Sequence, residues 1–156
     1  MSYEHETGWK GDIGVAKATA DMISQGFMVL APVAATSPFD LVVYRDGRFS
    51  KVQVKYRTIK NGVIKTELRR SVISNGRCVH RAMEPDEVDV LCIYCPDTDR
   101  CYYVSTTEAP NGCSLRVEEA GVSLPGIRWA EKYARLEDAL AWKSVRVKDV
   151  AVTKTA

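Results

Sequence analysis

The sequence predicts an α+β fold: one amphipathic helix, a series of mostly antiparallel strands, and a short closing helix. Three observations carry this reading. Apolar residues at steps of three and four, from Trp9 through Ile13, Ala16, Ala20 and Ile23 to Phe27, mark a helical stripe. Asp46-Gly47 separates two alternating runs, the strongest short-range signal of a hairpin. Leu136, Ala139, Leu140 and Trp142 return to helical spacing near the end. Helix, strands and helix in that order place the chain in the α+β class. At 156 residues it is read as a single domain, 1–156, long enough to bury a sizeable core.

The elements follow in order. The first helix is expected over Trp9 to Ser24, stopped by Gly26, since glycine takes the left-handed conformation that ends a helix. Phe27 to Leu30 reads as a short strand, and Ala31 to Ser37 as a loop closed by Pro38. The hairpin over residues 38–55 comes next. Asn61-Gly62 is a second hairpin signal, after which Val63 to Leu68 alternates again. Val72 to His80 reads as a strand pair broken at Asn75-Gly76, and Val88 to Tyr94 as a buried strand. The Pro96–Asp99 turn leads into Cys101–Val104, and Leu115–Val117 is the last strand expected.

Composition sets the class. With 46% hydrophobic and 27% charged residues the chain is an ordinary globular one. No apolar run approaches the roughly 18 residues of a membrane span. The beginning, Met1-Ser2-Tyr3-Glu4-His5-Glu6, is polar and acidic and does not resemble a signal peptide, so a cytoplasmic location is expected. Five cysteines, an odd count at low density, fit reduced thiols. Net charge is +2, but Arg45 to Arg81 holds eleven Lys/Arg against Asp46 and Glu67, an excess of nine, which leaves −7 for the rest. A localised basic field is the usual footprint of a polyanion partner.

The central hairpin holds the candidate chemistry. If Asp46-Gly47 is a two-residue turn, Arg45 faces Arg48 and Asp40 sits opposite Gln53, with Lys55 on the same face. Phe39, Leu41, Val43, Val52 and Val54 form the opposite, apolar face. An acid, an amide and an ammonium clustered away from the apolar face suit a metal and a phosphate.

These residues resemble the core of the PD-(D/E)XK nuclease superfamily. The ordered set Gly11-Asp12-Ile13-Gly14-Val15-Ala16-Lys17-Ala18, Pro38-Phe39-Asp40-Leu41-Val42, Val52-Gln53-Val54-Lys55-Tyr56-Arg57, Asp89-Val90-Leu91, Tyr94-Cys95-Pro96 and Tyr102-Tyr103-Val104 is similar to small members typified by a cyanobacterial group I intron homing endonuclease. The resemblance spans about residues 8 to 135. It implies a restriction-endonuclease-like core, with the central sheet flanked by helices, and a metal-dependent endonuclease acting on double-stranded DNA. Asp40 matches the metal-binding aspartate, Gln53 the D/E position and Lys55 the catalytic lysine. The Asp40 carboxylate, the Gln53 amide oxygen and the Val54 carbonyl would hold Mg²⁺, for which Mn²⁺ can substitute, because hard cations select oxygen ligands. Relatives carry a helix acid at what is here Val15; Asp12, one turn earlier, either substitutes or merely favours the helix start.

Other features give less. Cys92-Ile93-Tyr94-Cys95 has CxxC spacing but lies in an expected buried strand, where its thiols would point to different faces. Gly8, Gly11 and Gly14 do not match the dinucleotide fingerprint. His5 and His80 are too isolated for a histidine mechanism, Tyr102-Tyr103 reads as sheet packing, and Glu67 as an ion-pair partner among basic residues. Arg57, Lys60, Lys65, Arg69, Arg70, Arg77 and Arg81 are the expected DNA contacts. Two cuts call for two sites, hence an expected homodimer or homotetramer. A junction-selective resolvase and a DNA-binding or interaction module with a degenerate site are the alternatives.

Overall fold

The computed structural model describes residues 6–118 and 125–140. Its frame is a five-stranded sheet in the order β1-β2-β3-β7-β8, formed by Met28–Leu30, Leu41–Arg45, Arg48–Tyr56, Val90–Cys95 and Arg100–Ser105. β3 and β7 run parallel, while the other neighbours are antiparallel. The sheet is thus mostly antiparallel, as expected, with one parallel pair at its centre. Two small antiparallel sheets lie outside this frame: β4 (Val63–Glu67) with β9 (Gly112–Arg116), and β5 (Arg69–Ser74) with β6 (Arg77–Ala82).

The first helix, α1, spans Glu6–Ser24 and ends as the glycine predicts. Gly26 takes φ 85°, its N–H donates to the Ile23 carbonyl at 2.9 Å, and the Phe27 N–H donates to the Met22 carbonyl at 3.1 Å. These two bonds satisfy carbonyls that the helix end would leave open. The expected apolar stripe is only partly the buried one. Gly14, Ala18 and Met22 are buried, whereas Trp9 and Ile23 are 50% and 57% exposed and Ala16 and Ala20 are also exposed. Close approach explains the rotation. A Cβ on Gly14 would lie 3.5 Å from Val54 Cγ1, so small residues form the seam against β3 and turn the larger ones outward. The Tyr103 hydroxyl donates to Asp21 at 2.5 Å, and Lys17 pairs with Asp99 at 2.7 Å, fixing the helix along the sheet.

Each side of the sheet has its own core. On the α1 side Ala18, Met22, Phe27, Val43, Val52, Val90 and Tyr103 pack with Leu136, Ala139 and Leu140. On the other side Ile64, Leu68 and Leu115 cover Leu91, Ile93, Tyr102 and Val104. β7 is therefore buried at all six positions, which is why its sequence is apolar without alternation. The cover stops there. On the same face further out, Met28 and Phe49 remain 61% and 62% exposed.

The Asn61-Gly62 turn forms, with φ of 52° and 72° and a Lys60–Val63 bridge. β4 does not return along β3, however, but pairs with β9 in the register Val63↔Arg116. Covering the second face of β7 and β8 buries Ile64 and Leu68, which a hairpin with β3 would not do. The closing helix shrinks to one turn, α2 (Leu136–Ala139), preceded by a 3₁₀ turn at Ala130–Tyr133. Trp142 and His5 lie outside the described residues.

Candidate active site

The hairpin turn sets the site's geometry. Asp46 and Gly47 take φ of 53° and 77°, the paired left-handed conformation of a two-residue hairpin turn. The ladder then runs from Arg45↔Arg48 to Leu41↔Val52. Beyond Val52, β3 continues for four residues without β2 beside it. The strand edge left open there presents the N–H and carbonyl of Val54. Asp40, one residue before β2, occupies this position. Its own N–H donates to the Val52 carbonyl at 3.0 Å, and its Oδ2 accepts from the Val54 N–H at 2.7 Å and from Gln53 Nε2 at 2.6 Å. The carboxylate thus replaces the next rung of the ladder. From the other side Asp89 Oδ2 accepts the Lys51 N–H at 2.7 Å, so acids start both strands flanking β3.

The electrostatics of the site follow from burial. Burial pushes the Asp40 carboxyl above its ordinary value of 3.8, against the Val54 N–H, the Lys55 charge and the Gln53 amide. Burial, followed by the Arg57 charge, pulls Lys55 below its ordinary value, against Asp40. The pair does not compensate its own desolvation, so the carboxylate would gain from a further cation. Among the described residues Oδ1 of Asp40 accepts no hydrogen bond. The donor set fits a hard divalent ion: Asp40 Oδ1, the Val54 carbonyl, and the Gln53 amide once its oxygen rather than its nitrogen faces inward.

Next to this point opens a cleft of about 580 Å³. Its walls are Thr7, Lys10 and Gly11 of α1, residues 54–57 of β3, Glu67, and Arg69, Ser71 and His80 of the β5–β6 ribbon. A second, basic bay of about 870 Å³ continues past Arg57 to Thr58, Lys60 and Lys65.

The structure therefore sorts the expected residues. Asp40, Gln53 and Lys55 come together, with Val54 between the last two. Asp12 does not join them; it is exposed and lines neither cavity, while Val15 packs against the core. Of the expected DNA contacts, Arg57, Lys60, Lys65 and Arg69 line the cleft or the bay. Arg70, Arg77 and Arg81 share the opposite face of the ribbon, where Arg70 pairs with Glu87 at 2.9 Å and Arg81 with Glu84 at 3.5 Å. The sequence reading missed Lys10, Ser71 and His80. Gly11 and Gly14 were the usable signal: Gly14 lets the helix lie against Val54 and Tyr56 of β3, and Gly11 leaves open space at the cleft beside Lys10. Cys92 and Cys95 fall in the two different cores. Burial raises the Cys92 thiol and brings Cys113 to about 11.

A family model described as PD-(D/E)XK endonuclease matches residues 5–136. Among solved structures, a bacterial homing endonuclease, I-Ssp6803I, superposes with a TM-score of 0.63 at 22% identity, covering 83% of this chain and 88% of its own. At that identity the likeness establishes the fold. No curated protein matches the chain.

Proposed function

The chain belongs to the PD-(D/E)XK endonuclease family, and on that premise we propose that it hydrolyses phosphodiester bonds of double-stranded DNA, at preferred sites, with Mg²⁺ or Mn²⁺. The observation that carries this reading is the Asp40 carboxylate held on the open edge of β3 by Val54 and Gln53, beside Lys55 and at the head of a basic cleft.

Each residue has a part. Asp40 and the Val54 carbonyl would hold the cation, with the Gln53 amide turned to present its oxygen. Held there, a divalent ion would supply Lewis-acid polarisation of the scissile phosphate and a more acidic water. Lys55, two residues from Gln53 on the same face, directs its ammonium at the charge that builds on the phosphoryl oxygens. Its partial desolvation strengthens that interaction, since charges attract more strongly where water is excluded. Gln53 brings no negative charge, so the site should hold a free ion weakly and the DNA phosphate should complete it. Arg57, Lys60, Lys65 and Arg69 seat the backbone, which positions the strand without reading its sequence. One chain offers one such site, so cutting both strands calls for two copies, in a homodimer or homotetramer. None of the described helices is long and apolar enough to cross a membrane.

The test compares cleavage of linear duplex, four-way junction and single strand, with Mg²⁺, with Mn²⁺ and with a chelator. Metal-dependent cutting of duplex at discrete positions is expected. Preferential cutting of the junction would make the protein a resolvase, and binding without cutting under every condition would make it a binding module.

A further inference from the structure

The cleft beside Lys55 and the bay beyond it are continuous: both are lined by Lys10, Tyr56, Arg57 and Glu67. Together they hold the cations of Lys10, Lys55, Arg57, Lys60, Lys65 and Arg69. Among the described residues Glu67 is the one carboxylate lining either, and it stands where the two meet. Its position follows from the alternation of β4, which buries Ile64 and Thr66 and turns Lys65 and Glu67 outward. Its Oε2 lies 3.3 Å from Arg69 Nε, with both side chains more than half exposed, at 56% and 58%.

Such an exposed pair contributes little to folding stability. In a channel meant for a polyanion it has two other effects. The carboxylate repels any phosphate that approaches, and it occupies a cation that would otherwise be available. Resting on the reading of this channel as the DNA path, we infer that Glu67 sets its selectivity. In the free protein Glu67 holds Arg69 and opposes loosely seated backbone. A duplex seated deeply enough to separate the pair gains the Arg69 contact, while one that skims the surface does not. Discrimination of this kind works by weakening the wrong complex rather than strengthening the right one.

The experiment measures binding of a fluorescent duplex of arbitrary sequence, with chelator present, across about 50 to 200 mM KCl. The proteins are wild type, Glu67→Gln, Arg69→Gln and the double variant. Glu67→Gln is expected to bind at least about threefold more tightly, with a log–log salt slope steeper by about 0.9 for the phosphate that Arg69 newly neutralises. That gain should shrink when Arg69 is already Gln, because the two effects pass through one pair. Unchanged or weaker binding by Glu67→Gln overturns the inference. So does a gain that persists in full without Arg69. If wild type binds no duplex, the reading of the channel falls with it; if wild type binds in a salt-dependent way and Glu67→Gln binds alike, only the role of Glu67 falls.

Discussion

Replacing Asp40 by Asn should separate stability from activity. The carboxylate accepts two hydrogen bonds, from Val54 N–H and Gln53 Nε2. Bonds to a charged acceptor are worth about 1.5–3 kcal/mol each and neutral ones about 0.5–1.5, so on bonds alone Asn should destabilise. Asn can nevertheless keep both contacts: both end on Oδ2, and an amide oxygen in that place has two lone pairs to accept from Val54 N–H and from Gln53 Nε2. Against the weakened bonds stands the burial of the charge. The raised Asp40 pKa states which term is larger: the folded protein binds a proton there more readily than the unfolded chain does. The sign follows. The protonated carboxyl is the form the fold favours, so its contribution is present in full below the unfolded value and is lost as pH rises through the raised folded value, where the buried group must ionise. At neutral pH the Asn variant should therefore be as stable as wild type or slightly more so, and its advantage should vanish toward the ordinary value of 3.8. Cleavage should fall by at least about 10²–10³-fold, the scale of removing one preorganised electrostatic group from a transition state. Thermal melts from neutral pH to about pH 4, with single-turnover cleavage of duplex DNA, measure both. For a chain of this size about 1 kcal/mol corresponds to roughly 2–4 °C. A loss of more than about 4 °C at neutral pH, or cleavage within threefold of wild type, would refute the reasoning.

Three further outcomes are expected. Lys55→Ala should lose cleavage while keeping metal-free DNA binding within a few-fold, because the neighbouring Lys10, Arg57 and Arg69 still seat the backbone; normal turnover in the purified variant would remove Lys55 from the site. Asp12→Asn should turn over within about twofold of wild type, since Asp12 is exposed and lines neither cavity; a tenfold loss, about 1.4 kcal/mol of transition-state stabilisation, would restore it as the helix acid. Gly112→Ala should cost at least about 3 kcal/mol, read from denaturant melts, because its φ is 109° and the added Cβ would lie 2.3 Å from the Thr66 carbonyl oxygen; a wild-type midpoint would mean that β4 and β9 can separate freely.

Much of the site was legible because its geometry is local. Asp46-Gly47 dictates a two-residue turn, the turn dictates the register, and strand alternation then places Gln53 and Lys55 on one face opposite Asp40. Gly26 likewise ended the first helix through its own backbone conformation. What the sequence could not specify was which surface each element would find covered. The seam of Gly14 and Ala18, rather than the stripe from Trp9 to Ile23, became the buried face of α1, because closeness of approach to Val54 outweighs side-chain size. β4 found β9, and β3 found β7 in parallel, through partners far along the chain, whose pairing depends on both sheet faces being covered at once. The same layering sent Arg69 into the cleft and Arg70 to Glu87 on the other side of the ribbon, and left Asp12 in solvent. Turn chemistry and a period of two act over a few residues, and so they are written in the sequence; the choice of face is a property of the packed layers, and only the tertiary structure decides it.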